Sequence, residues 1–301
     1  MSDNAQGTVL FGPMRPPFLL LALACVLLGV ATAKYSGATL VPLQVVLVFI
    51  GGLAAHISVN ALNEYDDFKT GLDFRTEPTP FSGGSKTLPN NPGKAHVALV
   101  TGLVAMAIAA VIGVYFLTVR GWGLLPIGLL GLIVIAAYTP VLTRDPFLCL
   151  VAPGLGFGII MVMGTHYALT GSYSWTAFFA SLVPFFLVSD LLLLNQFPDV
   201  DADRSIGRKH VLVVLGRRQG LKIYTAFLVG AYLAVFVGYL FNVLPLQSLL
   251  ALLTILVAIS IVRGASRYYE SIPQLIPYLG QNVLVNLATP VLLAAGLFWA
   301  A

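Results

Sequence analysis

Apolar and polar positions alternate along this 301-residue chain on a coarse scale. Nine long apolar runs, near 16–34, 39–63, 95–118, 122–140, 147–168, 174–195, 220–241, 246–264 and 277–300, are separated by short polar stretches. A helix needs about 20 apolar residues to cross the hydrocarbon core of a bilayer. Inside that core each backbone N–H and C=O must be satisfied without water. The pattern therefore predicts an all-α polytopic membrane protein with nine transmembrane helices. The expected organisation is a single transmembrane domain over 1–301, with cytoplasmic cap loops at about 64–94 and 196–219.

Composition supports this reading. The chain is 58% hydrophobic and 9% charged, whereas soluble domains carry about a quarter charged residues. Arg15, ahead of an apolar run ending in Ala31-Thr32-Ala33, also fits a cleavable signal, but removing that run would leave eight spans without a partner. Lys and Arg accumulate in cytoplasmic loops. With the N-terminus inside, all of the 16 Lys and Arg except Lys34 and Arg120 fall on the cytoplasmic side. The C-terminus then faces out, and the expected location is the inner (cytoplasmic) membrane. The pI near 9.1 reflects this topology and attraction to anionic lipid heads rather than nucleic acid. Cys25 and Cys149 lie far apart without metal-like spacing and read as packing residues. No obligate protein partner is implied.

The acids are less evenly placed. They concentrate in the second-to-third and sixth-to-seventh loops, where polar residues also climb into the spans. His56, Asn60, Asn63 and Asp67 recur at steps of four, three and four, which places them on one helical face, with Asp73 following. A polar stripe in hydrocarbon is costly unless it lines a protein cavity. The second set, Asn195, Asp199 and Asp203, recurs every four residues, although Pro198 argues against one uninterrupted helix. Gathered carboxylates repel unless a cation sits between them, and oxygen-only ligands favour hard ions such as Mg²⁺ shared with phosphates. Two facing clusters would clamp a diphosphate, with Arg15, Arg75, Lys86, Arg144, Arg204 and Lys209 as candidate phosphate partners. The remaining acids, Glu64, Asp66, Glu77, Asp145, Asp201 and Glu270, read as solvated loop residues. His166 is expected in an outer loop, away from any chemistry.

At these motifs the chain resembles the UbiA superfamily of intramembrane prenyltransferases. The match is Asn63-Glu64-Tyr65-Asp66-Asp67 through Asp73, then Asn195 to Asp203, with Glu64 where the family usually has Asp. Nearly the whole chain takes part. Asp67-Phe-Lys-Thr-Gly-Leu-Asp73, Arg15-Pro16, Tyr138-Thr-Pro140, Gly164 to Gly171 and Gly207 to Gly216 are most similar to the branch that prenylates 1,4-dihydroxy-2-naphthoate in menaquinone synthesis. Phe157 stands where an acid is expected and His210 where Thr is usual, which leaves the acceptor open.

The resemblance implies nine helices around a central cavity open to the cytoplasm. There Asp67 and Asp73 would hold one Mg²⁺ and Asp199 and Asp203 another, with Asn63 and Asn195 as ligands or orienting partners. It also implies a prenyl diphosphate donor and a small aromatic acceptor, with Asn60 on the substrate-lining stripe and membrane lipid around the tail. Tyr138 faces the developing cation or a phosphate, or else serves as an interfacial aromatic. Thr79 to Ser85, with its adjacent glycines, reads as an acceptor-side loop. Asn282 and Asn286, an i, i+4 pair, line the cavity or bond between helices, and His56 and Asp190 are similarly open. The alternatives are another isoprenoid or lipid prenyltransferase of the same superfamily, a non-catalytic isoprenoid-binding scaffold, or an ion-coupled transporter, whose acids would sit nearer the midplane.

Overall fold

The structure, a computed structural model, describes residues 11–301. No strand occurs among them. Nine helices make up the body: α1 (Pro16–Tyr35), α2 (Pro42–Thr70), α3 (Pro92–Arg120), α4 (Trp122–Ala137), α5 (Pro146–Thr170), α6 (Trp175–Asn195), α7 (Arg217–Leu240), α8 (Leu246–Tyr268) and α9 (Ile272–Ala300). Eight are long and apolar enough to cross a membrane, and the protein is an integral membrane protein.

The ninth expected span, 122–140, is realised as the shorter α4. Its 16 residues would rise about 24 Å, less than the roughly 30 Å hydrocarbon core. It stops at Ala137 because Pro140 can neither donate a backbone hydrogen bond nor allow Thr139 a comfortable helical conformation. Even so, α4 runs the depth of the bundle. At one end Tyr173 donates to the Gly123 carbonyl at 2.9 Å, near Arg120, which bonds Gln44 and the Ala168 carbonyl. At the other, Asn63 of α2 reaches Thr139 at 3.1 Å.

Local signals explain several helix ends. Prolines open α2, α3, α5 and α9, where the missing N–H has no intrahelical partner to lose. Asp145 caps α5 by accepting from Phe147 N and Leu148 N at 3.0 and 2.9 Å. Gly71, with φ of 77°, closes α2 in the left-handed conformation that glycine tolerates. Short helices at Thr87–Asn90, Val200–Ser205 and Val211–Leu215 belong to the two caps. The principal core joins α1, α6, α7, α8 and α9 through residues such as Leu28, Leu187, Leu194, Tyr224, Ile261 and Leu279. Helices α2 to α5 close less tightly and leave a cavity between them.

Helix α5 departs from regular geometry where the sequence pattern predicts an ordinary span. Pro153 removes one backbone bond, and Leu155–Met163 follow as wider π turns. On the same helix Gly154 and Gly158 let α6 approach backbone to backbone, because a Cβ at either would strike the Phe185 main chain. His166, expected in an outer loop, lies inside α5. It is 1% exposed and its Nδ1 pairs with Thr32 Oγ1 at 3.0 Å, so the segment Gly164–Thr170 is helical and packed against α1.

These contacts give a stability test. Gly158→Ala should destabilise the purified protein by about 1–3 kcal/mol through overpacking, seen as a lower Tm. Gly113→Ala on α3, where nothing lies within 4 Å of the added carbon, should leave Tm unchanged or slightly raised.

Candidate active site

The polar face of α2 points into one cavity of about 520 Å³. His56, Asn60, Asn63 and Asp67 all line it, so the four-three-four spacing does form a single wall. Beyond Gly71 the chain turns back and places Asp73 on the same rim. The opposite wall comes from the end of α6. Helix α6 stops at Asn195, and Gln196 to Asp199 form a turn around Pro198. Asp199 then precedes the short helix that carries Asp203. Asn195, Asp199 and Asp203 line the cavity too.

One side chain joins the two walls. Arg208 binds Asp67 Oδ1 through Nη2, and its Nη1 lies 3.1 Å from Asp203 Oδ1. His210 Nε2 meets the other oxygen of Asp203 at 3.1 Å. Neither residue is among the phosphate partners that the sequence predicts. Arg208 is one of several basic residues in the loop between α6 and α7, and nothing in its spacing separates it from its neighbour Lys209. Burial disfavours charge on Arg208, but Asp67 and Asp203 more than offset this and hold its pKa above the ordinary value.

Arg15 plays a similar part at the other side. Its guanidinium pairs with Glu64 at 2.7 Å, and burial is again outweighed, chiefly by Glu64, so its pKa is raised. Glu64 is therefore not a solvated loop acid. It is fully buried and also accepts from Ser85 N at 2.8 Å and Ser85 Oγ at 3.0 Å, tying the N-terminal segment to the loop at Thr79–Ser85. That loop covers the acids. Phe81, Ser82, Gly83 and Gly84 line the cavity, and the Gly83 backbone and Ser82 side chain lie beside Asp199 and favour its carboxylate form. Gly84 has φ of 73°, and a Cβ there would lie 2.6 Å from Asp73 Oδ1. Only glycine fits so close to the carboxylate.

Of the other expected residues, Tyr138 lines the cavity, as do Arg15 and Asn60, whose Nδ2 donates to the Met14 carbonyl at 3.0 Å. Arg75, Lys86, Arg144, Arg204 and Lys209 do not line it. Lys86 donates to the Asp73 and Thr76 carbonyls at 2.6 Å and braces the loop. Arg75 ties the first cap to the second through Ser205 at 2.9 Å. Arg204 pairs with exposed Asp201 at 3.3 Å, and Arg144 and Lys209 are exposed. Asn282 bonds between helices, its Oδ1 accepting from Tyr224 at 3.0 Å, while Asn286 donates to the Asn282 carbonyl within α9 at 3.0 Å, and neither lines the cavity. Asp190 is buried elsewhere in the bundle. Phe157 and His56 meet edge to face inside the cavity with ring centroids 4.6 Å apart.

The electrostatics suit a polyanionic, cation-carrying ligand. Burial, then the Glu64 and Asp67 carboxylates, push Asp73 up to about 7 despite Arg15 and Lys86. Burial and Asp203 push Asp199 up to about 7 despite the opposing influence of Gly83 and Ser82. Asp73 Oδ2 and Asn195 Oδ1 are buried without a hydrogen-bond partner. Among the described residues no three His, Cys, Asp or Glu side chains converge closely enough to hold a metal ion alone. Below the acids the cavity becomes apolar, between Ile112 and Phe116 of α3, Ile127 and Leu132 of α4, and Ile160 and Met161 of α5.

The chain is similar to known proteins in sequence and in fold. The model of the UbiA prenyltransferase family matches residues 22–279. A 1,4-dihydroxy-2-naphthoate octaprenyltransferase from Bacillus subtilis (strain 168) is 28% identical, over 76% of this chain and 73% of that protein. A protein of the same name from Escherichia coli (strain K12) is 27% identical, over 96% and 95%. A 2-carboxy-1,4-naphthoquinone phytyltransferase from Synechocystis is 24% identical, over 95% and 92%. Among solved structures, the apo form of a UbiA homolog from Aeropyrum pernix K1 superposes with a TM-score of 0.71 at 18% identity, covering 93% of this chain and 96% of that one. A UbiA homolog from Archaeoglobus fulgidus bound to DMAPP and Mg²⁺ gives 0.64 at 15% identity, covering 95% and 98%.

The raised carboxyls predict a pH effect. A folded-state pKa near 7 for Asp199 lies above the unfolded value of about 3.9, so its contribution is intact below about pH 4 and is lost as pH rises through 7. The Tm advantage of Asp199→Asn over the ligand-free wild type should grow between about pH 5 and pH 8. A difference that stays constant over that range would show that Asp199 is not held protonated.

Proposed function

This chain belongs to the UbiA prenyltransferase family, and on that premise we propose that it transfers a polyprenyl group from its diphosphate to a naphthoate- or quinone-precursor-like aromatic acceptor, with Mg²⁺ as cofactor. The observation that carries this reading is the pair of acidic walls tied by Arg208 above an apolar cavity. A diphosphate with an isoprenoid tail has that same division of character. The naphthoate-directed names of the Bacillus, Escherichia and Synechocystis relatives support the acceptor class.

The donor set fits Mg²⁺. Asp67, Asp73, Asp199 and Asp203 offer carboxylate oxygens, Asn63 and Asn195 amide oxygens, and two of these atoms are buried without a partner. Mg²⁺ takes few protein ligands and shares substrate phosphates, which suits walls that do not close on an ion by themselves. When bound, the ion supplies positive charge to the leaving diphosphate.

The chain's own groups do the rest. Arg208 and Arg15 present fixed positive charge at the cavity head, where the C–O bond of the allylic diphosphate breaks and its electron pair departs with the diphosphate. Tyr138 lies beside the allylic cation left behind. A ring carbon of the acceptor forms the new C–C bond, and the ring then loses its proton. The loop at Phe81 to Gly84 covers the head, while the apolar lower cavity holds the tail and excludes water that would quench the cation. The charge bias of the loops supports placing this head on the cytoplasmic side of an inner membrane, with the N-terminus inside and the C-terminus outside. We read residues 1–301 as one transmembrane domain, with 64–94 and 196–219 as its cover.

The test is an assay of purified protein with radiolabelled prenyl diphosphates, Mg²⁺ and a panel of aromatic acceptors. Transfer should require the metal, and Asp67→Asn or Asp199→Asn should lower it at least about 100-fold. Arg208→Lys should not restore an Arg208→Ala loss, since one ammonium cannot span two carboxylates as a guanidinium does. Transfer that persists undiminished in both Asn variants would refute the assigned roles.

A further inference from the structure

A second cavity, of about 450 Å³, lies on the outside of the bundle between α8 and α9. One face of α8 lines it. Leu256, Ile259, Arg263 and Arg267 recur at three- and four-residue steps, so the face passes from apolar to basic over about three turns. Leu256 is 78% exposed and Ile259 41%, which in a spanning helix means contact with acyl chains.

The basic end is shaped. Tyr278 of α9 lies flat on α8 because Gly264 has no side chain, and a Cβ there would strike the ring. Tyr278 stacks on Tyr268 with centroids 6.1 Å apart, and the Arg267 guanidinium sits 5.4 Å from the Tyr268 ring. Among the described residues neither Arg263 nor Arg267 pairs with a carboxylate. Two unpaired guanidinium groups one turn apart, walled by tyrosines and continued by lipid-facing leucine and isoleucine, match a phosphate carrying acyl chains.

The site opens at the same end as the acidic head, since Phe81 of the covering loop reaches to 3.4 Å from the position a Cβ would take at Gly280 of α9. We propose that this cleft binds an anionic glycerophospholipid of that leaflet. Its phosphate sits between Arg263 and Arg267, and a chain runs down Ile259 and Leu256. This does not depend on which prenyl donor or acceptor the enzyme uses.

Native mass spectrometry of the full-length protein in neutral detergent, with phosphatidylglycerol or phosphatidylcholine added, tests it. Wild type should bind phosphatidylglycerol on the order of tenfold more tightly, because its headgroup keeps the net negative charge that the choline cation cancels in phosphatidylcholine. R263A/R267A should reduce that preference to about twofold or less while keeping the wild-type Tm in phosphatidylcholine. R218A/K222A removes equal charge from the exposed start of α7 and should leave the preference intact. The proposal is overturned if wild type shows no preference, if both double variants lose it equally, or if soluble glycerophosphate displaces the lipid.

Discussion

Carboxylates cannot share a low-dielectric wall unless cations share it with them, and the arrangement of this protein follows from how that requirement is met. Arg208 stands between Asp67 and Asp203, while Arg15 stands against Glu64. The first pairing joins motifs 136 residues apart by number, from Asp67 to Asp203, and the second joins the N-terminal segment to α2. Without them the end of α2 and the end of α6 would present like charges to each other across a half-dry space. With them the two caps close over one head group site, and Lys86 and Arg75 hold the caps in place from outside.

The same constraint explains the balance of the site. Counter-charges from the protein leave Asp73 and Asp199 only partly compensated, which is why both are held near neutral pH by burial and by neighbouring acids. In the proposed reaction a diphosphate arriving with Mg²⁺ would bring both signs of charge at once and complete what the side chains leave incomplete. The apolar lower cavity asks nothing of charge, so in the proposed reaction the head would set the chemistry.

Much of the fold was legible in the sequence because apolar runs and proline positions act locally. Eight spans and the end of α4 near Pro140 follow from them, and the polar stripe from His56 to Asp67 follows from helical period alone. What stayed hidden depends on contacts distant in sequence. Arg208 and Lys209 are equivalent as loop cations, and only the approach of α2 to the second cap separates them. Glu64 reads as one more loop acid until Arg15 and Ser85 close on it. Lys86 and Arg75 have the charge of phosphate ligands, yet serve as braces for the caps. His166 sits near a glycine-rich end that suggests a loop, while its pairing with Thr32 requires α1 beside it. The π turns of α5 after Pro153 lie where Gly154 and Gly158 bring α6 close, an approach that an apolar run does not announce. The transporter alternative gives way to the family match over residues 22–279.

The site depends on coupling between the two acidic walls, through one arginine and one ligand that both walls share. Calorimetric binding of a non-reactive prenyl thiodiphosphate in Mg²⁺, to wild type, Asp67→Asn, Asp203→Asn and the double variant, measures it directly. One site predicts strongly non-additive losses, with a coupling of at least about 1 kcal/mol. Losses that simply add would mean that the walls bind independently and do not form one site.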